Sequence, residues 1–124
     1  MKKRILLSIH PEYANAILEG NKGFEFRRVL FKEKVQEIFV YATSPISCVI
    51  GKFEIEDIYV DSPNKIWAKT KNYAGVTKDI FDDYFKDREK AFAIKVVNPV
   101  RFSEPQPLKN YVPSNTPPQS FCYV

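Results

Sequence analysis

Long apolar runs are missing from this 124-residue sequence, and cysteine and histidine are nearly so. A transmembrane helix takes about 20 consecutive apolar residues, so none is expected. The opening Met1-Lys2-Lys3-Arg4 leads into an apolar stretch too short for a secretory signal, which points to the cytoplasm. Cys48 and Cys122 are the only cysteines, with no CxxC spacing, and His10 is the only histidine. A structural zinc site takes about four close ligands, so no metal and no cofactor is expected. In a reducing compartment the two thiols read as small hydrophobes and not as a bridge. No internal repeat is present.

What remains fits one domain, long enough to bury a core without staples. Aromatic residues make up 15% of the chain, with ten Phe and seven Tyr, as suits a packed β-rich core. The formal charge of +4 favours polyanions only mildly, since many proteins without a nucleic-acid partner carry as much. Where the charge sits therefore matters more than its total.

Residues 4–9 (RILLSI) are apolar and bounded by polar residues, as in a strand. Pro11 stands where a helix can begin, because a missing N–H costs nothing in the first turn. Tyr13, Ala16, Ile17 and Gly20 recur at helical spacing, and Gly20-Asn21 suits the left-handed end of that helix. Residues 22–29 alternate, with Phe24 and Phe26 on one face and Glu25 and Arg27 on the other. Residues 35–42 and 48–60 read as two further strands. Gly51 and Glu56-Asp57 break the alternation and predict bends that curl a sheet.

Ser62-Pro63 predicts a capped helix presenting Ile66, Trp67 and Thr70, and Thr77 caps another presenting Ile80, Phe81, Tyr84 and Phe85. Residues 90–97 return to strand, with Phe92, Ile94 and Val96 pointing one way. From Pro99 onward six of the nine prolines crowd the chain, yet Tyr111, Phe121, Tyr123 and Val124 give it apolar anchors. Residues 99–124 are therefore expected to form an ordered arm packed on a single domain of residues 1–124. About five strands and three short helices predict an α+β fold, a small mixed β-barrel with helices over its ends.

The densest chemistry lies in residues 8–28 (SIHPEYANAILEGNKGFEFRR). Lys22, Glu25, Arg27 and Arg28 fall within seven residues after a tight turn. Guanidinium groups offer fixed forks for phosphate oxygens, and a lysine at a turn adds a mobile point charge. Glu25 suits orienting those cations, accepting a base-edge proton, or acid/base work. The same charges also describe a solvated strand edge.

The run from Ser8 through Arg28 resembles the signature of ASCH domains, a Gly-x-Lys-x-x-x-x-Arg segment after the first helix. Gly20, Lys22 and Arg27 occupy those positions. Similarity extends to a subgroup of predicted transcriptional regulators with PUA-like domains, through Tyr41-Ala42-Thr43-Ser44-Pro45, Ile50-Gly51-Lys52-Phe53, Ile66-Trp67, Tyr84-Phe85 and Pro117-Pro118-Gln119-Ser120-Phe121. The resemblance implies a PUA-like barrel with a basic cleft under the first helix, suited to RNA or a nucleotide, with DNA as a further candidate. One branch of the family hydrolyses acetylcytidine with a Lys, a Thr three residues later and a distant Glu. Here Glu25 stands in the threonine's place, so that mechanism does not carry over.

The expected ligand-binding set is Ser8, Lys22, Glu25, Arg27, Arg28, Tyr41, Ser44, Gln119 and Ser120. Lys22 and Glu25 are the catalytic candidates if the protein is a small metal-independent hydrolase of RNA or modified nucleosides. Tyr41, ending a strand beside a turn, is the preferred stacking residue. Trp67 and Tyr84 read as core, and His10 as a helix cap. Ser8 suits a cap or a ligand contact equally. A protein-interaction module is the third alternative.

Overall fold

The computed structural model describes residues 3–124, so Met1 and Lys2 of the opening basic run lie outside the described residues. Its strands are β1 (Arg4–Ile9), β2 (Phe24–Arg27), β3 (Glu37–Ala42), β4 (Cys48–Asp61), β5 (Ala91–Gln106) and β6 (Phe121–Tyr123). Its α-helices are α1 (Pro11–Leu18), α2 (Pro63–Thr70) and α3 (Lys78–Tyr84). All six strands form one sheet in the order β2-β5-β4-β3-β1-β6. β1 and β3 run parallel, and the other neighbours are antiparallel.

The sheet curls because its two longest strands slip against each other. The β4–β5 register shifts between Val49/Gly51, Lys52/Glu54 and Ile55/Asp57, two of these at the bends expected from Gly51 and Glu56-Asp57. Each extra residue bends the strand and steepens its twist. Gly51 also lets α1 approach: a Cβ there would lie 2.5 Å from the Val100 carbonyl oxygen and 2.7 Å from Leu18 Cδ1.

Inside the curl, Ile5, Leu7 and Ile9 of β1 pack with Ile17 and Leu18 of α1, Ile38, Val40 and Phe53. Beneath α2 and α3, Phe24 and Phe26 of β2 meet Ile66, Phe81 and Phe85. On the outer face, Leu6, Phe39, Tyr41 and Val49 are covered by Leu108, with Phe102 and Tyr111 alongside. β1 is thus buried on both faces, which accounts for its unbroken apolar run.

Several expectations change in detail. The arm contributes a sixth strand, since Phe121, Cys122 and Tyr123 pair with β1. The strand expected at 90–97 continues to Gln106 through Pro99 and Pro105. α1 buries Ala14, Ile17 and Leu18, while Gly20 lies exposed beyond its end and not on the stripe. The strand expected over 22–29 is only Phe24–Arg27, because Lys22 and Gly23 belong to the turn. Ser62 precedes α2 without a side-chain cap, and its own N–H donates to Asp61 Oδ1. His10 likewise occupies the N-cap of α1 without a side-chain bond. Thr77 does cap α3, accepting from the Ile80 N–H at 3.3 Å. Both cysteines are free and half-buried. Among the described residues no helix is long and apolar enough to cross a membrane.

Gly51→Ala should lower unfolding free energy by about 1–3 kcal/mol, the range for overpacking against backbone that cannot yield. Chemical denaturation of both proteins checks this, and an unchanged midpoint would show that β4 and α1 can part there.

Candidate functional site

The turn after α1 delivers Lys22 to the interior. Gly20 adopts φ 82°, and the N–H groups of Gly20 and Asn21 donate to the Ile17 and Ala16 carbonyls, which closes the helix in a Schellman arrangement. The Lys22 N–H also reaches the Ala16 carbonyl, at 3.1 Å. The Gly23 N–H donates to the Tyr73 carbonyl at 2.8 Å and so ties the turn to the segment before α3. The Lys22 stem lies across Gly75, where a Cβ would come within 2.4 Å of Lys22 Cγ.

Lys22 is only 2% exposed. Its Nζ donates to the Ala74 carbonyl at 2.6 Å and stands over the Phe26 and Tyr13 rings, 4.6 and 5.6 Å from their centroids. Burial pulls its pKa down from 10.5 to about 8, and the charge of Glu25 opposes that shift.

Arg27 is arranged differently. One guanidinium nitrogen, Nη2, donates to the Ser8 carbonyl at 2.9 Å and lies 2.8 Å from Glu25 Oε2. The other, Nη1, reaches Ser120 Oγ at 3.4 Å. Nε is buried without a hydrogen-bond partner among the described residues. The Ser8 N–H donates to the Ser120 carbonyl at 3.0 Å and its hydroxyl to the Pro118 carbonyl at 2.7 Å. Arg27 therefore braces β2 against β1 and the segment entering β6, with Glu25 fixing its direction.

Lys22, Glu25, Arg27 and Ser8 line one cavity of about 210 Å³. Its remaining walls are His10 and the apolar or aromatic Ile9, Tyr13, Phe26, Val76, Ile80 and Tyr84. The cations after the first helix thus border a concavity and not an open convex surface.

The other sequence candidates are dispersed. Arg28 is exposed just outside, its guanidinium 4.4 Å from the centre of the Tyr84 ring. Tyr41 is buried in the outer-face cluster with Leu6 and Leu108, away from the cavity. Ser44 is exposed in the turn after β3, and Gln119 is exposed beside the half-buried Ser120. Trp67 packs on Phe81 at 5.1 Å, as expected of a core residue. Sequence reasoning missed Ala74, Gly75 and Val76 altogether, and placed Tyr13, Ile80 and Tyr84 on core-facing stripes, whereas all three line the cavity. Among the described residues no group of three or more His, Cys, Asp or Glu could hold a metal ion.

A curled mixed sheet, with a helix over its mouth and a cationic cavity beside that helix, defines a PUA-like α+β protein. The chain belongs to the ASCH domain family, whose profile matches residues 7–101. It is similar to the ASCH domain-containing ribonuclease of Zymomonas mobilis, 32% identical over an alignment of 126 positions that covers 99% of this chain and 85% of that protein. The crystal structure of ASCH from Zymomonas mobilis superposes with a TM-score of 0.91 at 32% identity, covering 98% of this chain and 87% of that one. The N-terminal domain of Staphylothermus marinus McrB shares the fold alone, with a TM-score of 0.54 at 12% identity over 90% and 82% of the two chains.

The buried Lys22 sets a pH dependence. Its folded pKa of about 8 lies below the ordinary 10.5, so between those values the unfolded chain holds more protons. Stability contributed by this residue therefore rises with pH across that window, while below pH 8 the full desolvation penalty stands. Relative to Lys22→Met, the wild type should gain about 2 kcal/mol between pH 7 and 9.5. Urea unfolding of both proteins measures it, and parallel pH profiles would contradict it.

Proposed function

We propose that the protein binds single-stranded RNA and seats one nucleotide in the cavity beside α1. The observation that carries this reading is Lys22: an ammonium 2% exposed, held by one carbonyl and two ring faces, on the wall of a cavity of about 210 Å³. Such a cation has lost most of its hydration, and a ligand acceptor restores what burial took away. Arg27 adds a second cationic side chain to the same wall. The apolar and aromatic surfaces of Tyr13, Phe26, Val76 and Ile80 suit the face of a base. RNA is favoured over DNA or a free nucleotide by the 32% identical relative, which is named a ribonuclease.

Lys22→Met keeps the stem and removes the charge. It should weaken binding of a short single-stranded RNA at least tenfold, as expected for losing a charge-assisted hydrogen bond worth about 1.5–3 kcal/mol. Fluorescence anisotropy at one fixed ionic strength measures this. Unchanged affinity in a variant with a native circular dichroism spectrum would overturn the reading.

A second reading, metal-independent RNA cleavage, is favoured by the relative's name together with Lys22 and Glu25 sharing one cavity. Cleavage of this kind needs a base for the ribose hydroxyl and a cation for the phosphate. Glu25 and Lys22 are suited to those parts. Incubation with short RNAs, followed by mass spectrometry, should then reveal products that Glu25→Gln abolishes. Turnover that persists in Glu25→Gln would remove Glu25 from the chemistry.

A further inference from the structure

The wall formed by Ile80 and Tyr84 has two sides. One faces the cavity that holds Lys22. The other faces a second, open depression of about 480 Å³, lined by Arg28, Asp79 and Asp83 as well as Ile80 and Tyr84. The two concavities adjoin, since Ile80 and Tyr84 line both.

The ridge between them is unusual for its helix. Phe81 and Phe85 are buried, yet Ile80 keeps 46% of its surface exposed at the rim of both depressions. Arg28 stands over the Tyr84 ring at 4.4 Å, so the second depression has a guanidinium–aromatic platform on one side. A base stacks on such a plane with little regard for its identity.

The charge in the second depression decides which part of a nucleotide enters. Asp79 and Asp83 bring two carboxylates against the single guanidinium of Arg28. A phosphate placed among them meets net repulsion, whereas a base edge bearing an exocyclic amine finds acceptors. The linking phosphate then belongs at the ridge of Ile80 and Tyr84, between the two concavities.

We propose that this second depression is a subsite for the nucleotide adjoining the one in the Lys22 cavity, that Arg28 and Tyr84 form its stacking platform, and that Asp79 and Asp83 select an amine-bearing base over uracil. This rests on the reading of the cavity as an RNA site and adds the size of its ligand: two consecutive nucleotides are the smallest unit that fills it. Arg28 belongs to this subsite, while the cavity behind it is formed without Arg28.

The test is calorimetric titration of the wild type, Arg28→Ala and the double variant Asp79→Asn/Asp83→Asn. The probes are the four ribonucleoside monophosphates and the sixteen ribodinucleoside monophosphates, checked by chromatography to remain intact. For the wild type, the best dinucleotide should bind about tenfold tighter than the better of its two halves, and uracil in the second position should lose most of that gain. Arg28→Ala should keep mononucleotide affinity within about twofold and lose the dinucleotide gain, and the Asn pair should erase the discrimination against uracil. Mononucleotides that bind as tightly as every dinucleotide, or a gain that survives in Arg28→Ala, would overturn the subsite while leaving the cavity reading intact. Probes that all fail to bind, together with a longer RNA that also fails, would sink both.

Discussion

One side chain joins parts of the sheet that the backbone leaves apart. β2 and β6 are the two edges, and Arg27 on β2 bonds to the Ser8 carbonyl on β1 and the Ser120 hydroxyl just before β6. Glu25, two residues earlier on the same strand, holds the guanidinium in place from below. A barrel closed by strand pairing would have no opening there. Closure through a side chain leaves room beside it, and that room is the cavity. Arg27 is therefore a constraint on shape first, with its Nε buried and without a partner among the described residues.

Lys22 is arranged to the opposite end. The fold takes its ammonium out of water, lays its stem on a glycine and gives it a single carbonyl. Desolvation makes that a destabilising placement, visible in the depressed pKa. An ammonium has three N–H donors, and among the described residues Lys22 gives one of them an acceptor, the Ala74 carbonyl. Strain of this kind is tolerated where a site requires it.

Much of the fold could be read from the sequence because its signals are local. The alternation in residues 22–29, the Pro11 start, the Gly20 end and the bends at Gly51 and Glu56-Asp57 each depend on near neighbours. The cluster of Lys22, Glu25 and Arg27 could be read in the same way. What could not be read is how deeply each cation is buried and what it bonds to, since that is set by Ala74 and Gly75 for Lys22 and by Ser120 for Arg27, more than 50 residues away in each case. Tyr41, expected as a stacking residue, is buried for the same reason. Its burial is supplied by Leu108 and its neighbours in the arm, whose apolar residues give no hint of which face they will cover. Ile80 and Tyr13 looked like core because helical spacing registers an apolar face without saying whether that face meets protein or an empty groove.

The pairing of β1 with β6 joins the first strand of the chain to the last. Contacts of such wide sequence separation form late, because long loops must close before they contribute. Ser8 and Arg27 acquire their Ser120 partner only at that step. During synthesis, then, the chain emerges with its cationic segment early and the mouth unfinished. The bonds that tie Arg27 and Ser8 to Ser120 are complete only when the final strand docks.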